Sequence, residues 1–553
     1  MSKKIPENQD KYSPVERRTL LRFLGVAAIA GGGASSVSAT SGEAHEASND
    51  FDLIETTIED AHEAMLAGDL TAVELVEHYL NRIEAYEDDL NTIITLNSDV
   101  RERAQKLDDY CAKSGLIGPL HGVPLFVKDN YDTDDLPTTG GVIGFEGHTP
   151  PDDAFTVAQL REAGAIVLAK TNLPDFARVA EGLSSVGGQT RNPYDLDRDP
   201  GGSSSGTAAG VTSNLALAGT ATETGVSIRN PATNNALVGI APTRGLVSQD
   251  GIVPISFTQD RGGPHARTVI DAARLLEVMV GYDPTDPQTA ENVDRVPNSY
   301  TDTLNEDTLA GARIGVVREL FGDTPAEAEI GDLVDAAIGD MAQEGATIVD
   351  PVPIQSVLND RLPVLNPAFP DDDTSLVRVL SDARTNDHEQ EVAMNRYLET
   401  REEGFPYETL QDVVDSEEIH PETLELLEEG PKDGLEQPEY HERLLRIKAL
   451  QSSVLQTMAL KELDALVYPM KTQSAPLIGG EYEDATIDGW GNVLSSITGY
   501  PSIVVPAGFT DNGLPEAVQF LGQPFTEKNL IELAYAYEQA TNHRQPPKDF
   551  GMI

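Results

Sequence analysis

Between Gly201 and Val226, twenty of the twenty-six residues are Gly, Ala, Ser or Thr. No other stretch restricts the fold of this chain as strongly. Side chains this small let backbone approach backbone closely. A flexible Gly/Ser linker would have a similar composition. Here, however, Leu215, Leu217 and the alanines between them make an apolar run, which predicts a buried segment. The surroundings are almost uncharged. Residues 201–250 hold two acidic residues (Glu223, Asp250) and two basic ones (Arg229, Arg244).

That neutral island sits in a chain of 553 residues with a formal net charge of −53. Residues 401–440 alone carry 14 acidic against 2 basic side chains. Lysine is scarce, and between residues 114 and 431 only Lys128 and Lys170 occur. Such a charge excludes a nucleic-acid binder, because phosphate contacts need a basic footprint. It equally opposes docking on an anionic membrane surface. The 39% hydrophobic content excludes general disorder. An acidic, lysine-poor coat is the expectation for a halophilic protein kept soluble in concentrated salt. The single cysteine, Cys111, rules out an intrachain disulfide and any cysteine-based metal cluster.

The first residues read as an export signal. Lys3, Lys4, Lys11 and the pair Arg17-Arg18 precede a short apolar stretch, Phe23 to Ala34, and a small-residue end, Val37-Ser38-Ala39. The paired arginines before Leu20-Leu21 resemble a twin-arginine signal. The expectation is export through that pathway, removal of residues 1–39, and a soluble extracellular or cell-surface protein without stable membrane insertion.

Residues 40–50 read as a polar linker, and one domain is expected over 51–545. Within it, 51–115 reads as helices. Thr71 and Glu74 are spaced for a capping box, and Leu75, Tyr79 and Ile83 recur at helical spacing. From 116 to 320, short apolar runs such as Val123–Val127 alternate with helical stretches, which predicts an α/β layer architecture. Residues 366–440 read as an acidic helical insertion, and 441–545 return to the α/β core.

A buried serine needs a base to become a nucleophile. The ten histidines are scattered outside any telling motif. A lysine can serve if burial keeps it neutral. Lys128 ends the run Val123–Val127, and Lys170 ends a similar run, Ala165–Ala169. The residues alone do not rank Lys128 over Lys170, or Ser227 over Ser203. A third reading exists, since Gly202-Ser203-Ser204-Ser205-Gly206 satisfies Gly-x-Ser-x-Gly and would make Ser204 the nucleophile of an α/β-hydrolase.

Taken together, these segments resemble the amidase signature family of serine hydrolases. The resemblance covers about 68–320 and 445–542. It is carried by Gly122–Asp129, Ala169–Asn172, Pro200–Gly206, Thr222–Pro231, Gly239–Gly281, Gly499–Pro501 and Gly513–Pro515. It implies an amidase signature fold: a large mixed β-sheet sandwiched between α-helices, with an N-terminal helical layer. It implies Ser227 as the nucleophile, Ser203 after a cis peptide bond as the bridge, and neutral Lys128 as the base. Backbone amides of Thr224, Gly225, Val226 and Ser227 would form the oxyanion hole, and Lys170 becomes structural. No metal or organic cofactor is implied, and the partner is a small-molecule amide. The oligomeric state stays open, a homodimer included. The sequence departs from the family at Val226, usually glycine, and at Glu223, usually Asp. A β-branched residue resists positive φ, so Val226 would lower activity if the loop required it. Two readings within the same fold stand beside an amidase. One is a protein like the A-subunit of glutamyl-tRNA amidotransferase. The other is a catalytically silent binding protein. Specificity is expected in the 366–440 segment and the 140–155 loop.

Overall fold

The computed structural model describes residues 53–365, 375–401, 404–431, 433–480 and 491–551. The signal at 1–39 and the linker at 40–50 lie outside the described residues. Thirteen strands are present among them: β1 (Ile93–Leu96), β2 (Pro124–Lys128), β3 (Ile166–Thr171), β4 (Leu183–Ser184), β5 (Gly188–Gln189), β6 (Ala218–Glu223), β7 (Val238–Ala241), β8 (Arg261–Ala266), β9 (Arg313–Val316), β10 (Thr347–Val349), β11 (Ala465–Pro469), β12 (Ser502–Phe509) and β13 (Pro515–Leu521). Eleven of them form one sheet, in the order β1-β3-β2-β6-β8-β7-β12-β13-β11-β9-β10. The sheet is mixed. β2 runs parallel to β3 and β6, and β9 runs parallel to β10 and β11. The pairs through β8, β7, β12 and β13 are antiparallel. This is the large mixed sheet of the α/β class that the resemblance implies.

Strands β2, β3, β6 and β8 are buried along their whole length. They can be continuously buried because helices cover both faces of the sheet. The N-terminal layer holds helices Ile58–Ala67, Ala72–Leu90 and Val100–Ser114. Thr71 and Glu74 form the capping box that their spacing predicts. The layer is not wholly helical. Ile93–Leu96 forms the edge strand β1, antiparallel to β3. Four residues between two strong helical patterns carry too weak a period to announce a strand.

The small residues of 201–226 have a packing reason. Helix Ser205–Thr212 is buried on every residue and lies against β2 and β6. A Cβ on Gly206 would stand 2.2 Å from the Thr92 carbonyl oxygen and 2.5 Å from the Asn172 nitrogen. A Cβ on Gly219 would meet Thr207 Cγ2 at 2.6 Å. Only glycine admits this contact between helix and sheet.

The 366–440 segment contains helices Leu376–Ser381, Asn386–Leu398, Leu410–Ser416 and Pro421–Glu429. Its boundary at 440 falls inside helix Pro438–Lys461, which returns the chain to the core. Met394, Tyr397, Tyr407 and Val413 pack with Val142, Phe145 and Phe176. The insertion therefore seals against the 140–155 loop and becomes a wall of the site. Among the described residues no helix is long and apolar enough to cross a membrane.

Candidate active site

Lys128 ends β2 with its side chain fully buried. Its Nζ lies 2.8 Å from Ser203 Oγ and 2.8 Å from Thr222 Oγ1. No carboxylate lies within ion-pair distance of it among the described residues, and burial pulls its pKa well below that of an ordinary lysine. Asp260 and Glu223 oppose that shift from farther away. Ser203 follows a cis peptide bond from Gly202. Asn130, two residues beyond Lys128, donates through Nδ2 to Thr222 Oγ1 at 2.9 Å.

Lys170 is placed differently. Its Nζ stands 3.0 Å from Asp129 Oδ1, both side chains fully buried. It also donates to Thr138 Oγ1 at 2.7 Å and to the Pro137 carbonyl at 3.1 Å. Asp129 in turn accepts from the Thr139 amide at 3.0 Å. Lys170 thus ties together the loop that follows β2.

Ser227 is 7% exposed and lies in the turn after β6. Among the described residues no hydrogen bond joins it to Ser203. The two segments are tied through Ser204, whose hydroxyl donates to the Ser227 carbonyl at 2.6 Å. Ser204 is fully buried, and among the described residues no histidine bonds to it, so the α/β-hydrolase reading fails on geometry. The histidine nearest in chemistry, His265, donates from Nε2 to the Ile228 carbonyl at 2.8 Å. Burial pushes its imidazole down to about 4.

The turn Thr224–Ser227 is braced from below. Glu223 accepts from Arg229 Nε at 3.0 Å and Arg261 at 2.6 Å, all three side chains buried. Those cations outweigh the burial that would raise its carboxyl, and its pKa is lowered. The same carboxylate accepts from the amides of Ile228 (3.2 Å) and Arg229 (3.3 Å). Arg229 also donates to the Gly225 carbonyl at 2.7 Å. Thr224 donates its hydroxyl to Asp260 at 2.5 Å, and burial pushes Asp260 up to about 6. Asp260 itself is anchored by the Ile255 and Ser256 amides at 2.8 and 2.9 Å. The longer Glu223 is thus fully accommodated. Val226 does not have positive φ. The β-branched side chain imposes no strain there.

A cavity of about 230 Å³ is lined by Thr224, Gly225, Val226 and Ser227 together with Glu181, Arg384 and Glu422. The last two come from the insertion. Sequence reasoning did not single out Thr222, Asn130, Asp260, Arg229 or Arg261 as parts of the site. Arg229 had one legible signal, as a rare charge in the neutral 201–250 region. Asp260 lies in the Gly239–Gly281 stretch that carries the family resemblance, though without a role assigned to it, and Asn130 had no signal.

A fully buried lysine against a serine, beside a backbone turn that carries a second serine, defines a serine-hydrolase type of site on an α/β sheet. The sequence profile of the Amidase family matches residues 74–531, and the chain belongs to that family. It is an amidase-family enzyme acting on C–N bonds. The glutamyl-tRNA(Gln) amidotransferase A-subunit from Symbiobacterium thermophilum is 35% identical over 491 residues, which is 87% of this chain and 96% of the relative. A probable amidase of Arabidopsis thaliana is 35% identical over 516 residues, 91% of this chain and 93% of the other. The crystal structure of peptide amidase from Stenotrophomonas maltophilia superposes with a TM-score of 0.77 at 35% identity, covering 89% of this chain and 98% of that one.

Proposed function

We propose that this protein hydrolyses a carboxylic acid amide to the acid and ammonia or an amine, through an acyl-enzyme on Ser227. The observation that carries the reading is the 2.8 Å contact between buried Lys128 Nζ and Ser203 Oγ. A lysine without a counter-ion, far below its ordinary pKa, is a base rather than a cation. Neutral Lys128 takes the Ser203 proton as Ser203 takes that of Ser227. Ser227 Oγ attacks the amide carbon. The oxyanion is held by backbone amides of Thr224 to Ser227. The C–N bond breaks as Ser203 returns a proton to the leaving nitrogen, and water then releases the acid. Catalytic hydrogen bonds are commonly long without substrate and tighten around it, as the Ser203–Ser227 step requires. None of these steps calls on a metal or organic cofactor.

A second reading is a role like that of the amidotransferase relative, favoured by the similarity to the Symbiobacterium protein. The net charge of −53 weighs against association with tRNA. Export by the twin-arginine route and a halophilic source remain part of the proposal, resting on Arg17-Arg18 and the acidic coat.

The test is ammonia release from a panel of primary amides in multi-molar salt, wild type against Ser227→Ala. Release by the wild type alone supports the hydrolase. Release only with added amidotransferase partner proteins selects the second reading. No release from a folded wild type under either condition shifts weight to larger or non-primary amide substrates or to the silent binding protein.

A further inference from the structure

The turn Thr224–Ser227 is gripped on two of its peptide planes. In a trans peptide, the carbonyl of one residue and the amide N–H of the next share a plane and point in opposite directions. Among the described residues only Gly202–Ser203 and Asp350–Pro351 are cis, so both planes here are trans. Arg229 holds the Gly225 carbonyl at 2.7 Å and thereby aims the Val226 amide. The Thr224 carbonyl shares its plane with the Gly225 amide. It is held by Gln259, whose Nε2 donates to it at 3.2 Å.

Gln259 is 2% exposed and lines the cavity at Ser227. The far end of its side chain is held by the 366–440 insertion. Its Oε1 accepts from the amide and the hydroxyl of Thr385, both at 2.6 Å. A backbone N–H can only donate, so Thr385 fixes which end of Gln259 is oxygen and turns Nε2 toward Thr224. Thr385 is buried at the head of helix Asn386–Leu398. One turn further along, buried Glu389 gathers the residues that precede Gln259. It accepts from the Ser256 hydroxyl, from the Thr258 amide at 3.1 Å and from the Thr258 hydroxyl at 2.8 Å. The Tyr440 hydroxyl donates to the same carboxylate at 2.8 Å.

We propose that Gln259 is a positioning residue for the oxyanion turn, set by Thr385 and Glu389, so that the insertion governs the reaction rate through the direction of the Gly225 amide. The inference rests on the amidase reading and deepens it. A donor aimed at developing charge acts mainly in the transition state. Loss of aim therefore lowers kcat and leaves KM little changed. A residue that only walled the cavity and touched substrate would act on KM instead.

The test is steady-state hydrolysis of the primary amide that the wild type turns over fastest, with the Tm of every variant. Gln259→Met should lower kcat about tenfold, less than the about 100–1000-fold that a deleted donor costs. Thr385→Val, the milder change should Gln259→Met not fold, should lower kcat by a smaller factor. In the Gln259→Met background it should cost almost nothing more, because it acts through Gln259. Thr409→Ala removes the cap of helix Leu410–Ser416 in the same insertion, and should lower Tm with kcat unchanged. A rise in KM at constant kcat, additive losses in the double variant, or a kcat that follows Tm through Thr409→Ala overturns the positioning role. If the wild type hydrolyses no amide, the rate at which a fluorophosphonate modifies Ser227 decides, since its phosphoryl oxygen takes the place of the oxyanion. Slower modification of Gln259→Met than of the wild type keeps the positioning role while the amidase reading falls. Equal rates, or a wild type that is not modified, overturn it.

Discussion

Lys170 lies across from Val127 in the parallel pair β2–β3, one residue out of step with Lys128. Side chains alternate along a strand, so the two lysines leave the sheet on opposite faces. One meets Asp129 at 3.0 Å and the other meets Ser203 at 2.8 Å. That single step of register separates a structural cation from a candidate base.

Lys128→Ala should abolish turnover while the fold persists, because among the described residues no other amine reaches Ser203. Lys170→Met should instead unfold more easily. Removing one partner of a buried pair typically costs about 3–5 kcal/mol. Steady-state rates and thermal unfolding of both variants check this. A Lys128→Ala enzyme with near-normal rates would sink the assignment.

Because burial lowers the Lys128 pKa, kcat/KM should rise with pH as its proton leaves. The same shift makes a statement about stability. Unfolded lysine holds its proton up to about 10.4, whereas folded Lys128 releases it earlier, so the unfolded state binds more protons between the two values. Stability contributed by this group therefore increases with pH across that window. Against Lys128→Met, the wild type should gain relative stability as pH rises from below the lowered folded value toward the ordinary lysine value, read by chemical denaturation. A flat difference would show that Lys128 is not held neutral.

Glu223→Gln removes a charge shared by Arg229 and Arg261 and loosens the amides of Ile228 and Arg229. The expected cost is about 3–5 kcal/mol, with a fall in kcat from the displaced turn. The folded pKa of Glu223 is lowered, so its contribution is complete above the ordinary carboxylate range and is lost as pH falls through the lowered value. The gap in Tm between wild type and variant should shrink in acid.

Val226→Gly tests the departure from the family pattern. The backbone there does not need positive φ, and the side chain is 7% exposed. The variant should lose about 2–3 kcal/mol of stability from lost burial and added backbone freedom. Its kcat/KM should change far less than the about 100–1000-fold that a missing oxyanion donor costs. A large rise in rate would mean that valine obstructs the site.

With a net charge of −53, the protein should unfold in dilute buffer. The Debye length is about 10 Å at 0.1 M salt and about 3 Å at 1 M, so concentrated salt screens most of the self-repulsion. A Tm series over ionic strength measures this, and full stability at low salt would contradict the halophilic reading.

Local patterns were legible wherever one residue carried its own reason. Thr71 with Glu74 announced a cap, the runs before Lys128 and Lys170 announced buried strands, and the small residues of 201–226 announced close packing. Ile93–Leu96 was missed because an edge strand of four residues is stabilised by pairing with β3, not by its own period. Asn130 was missed, and Asp260 was read only as part of the family pattern, because their roles depend on partners 92 and 36 residues away, Thr222 and Thr224.

By itself the sequence determined the class of the chain, the acidic coat, and the need for glycine where helix Ser205–Thr212 presses on β2 and β6. These depend on composition and short spacing, which hold whatever distant parts of the chain do. Only the tertiary structure decided which lysine stands without a counter-ion and how Val226 is accommodated. Those outcomes depend on strand register and burial, and both are set by contacts between residues far apart in the chain.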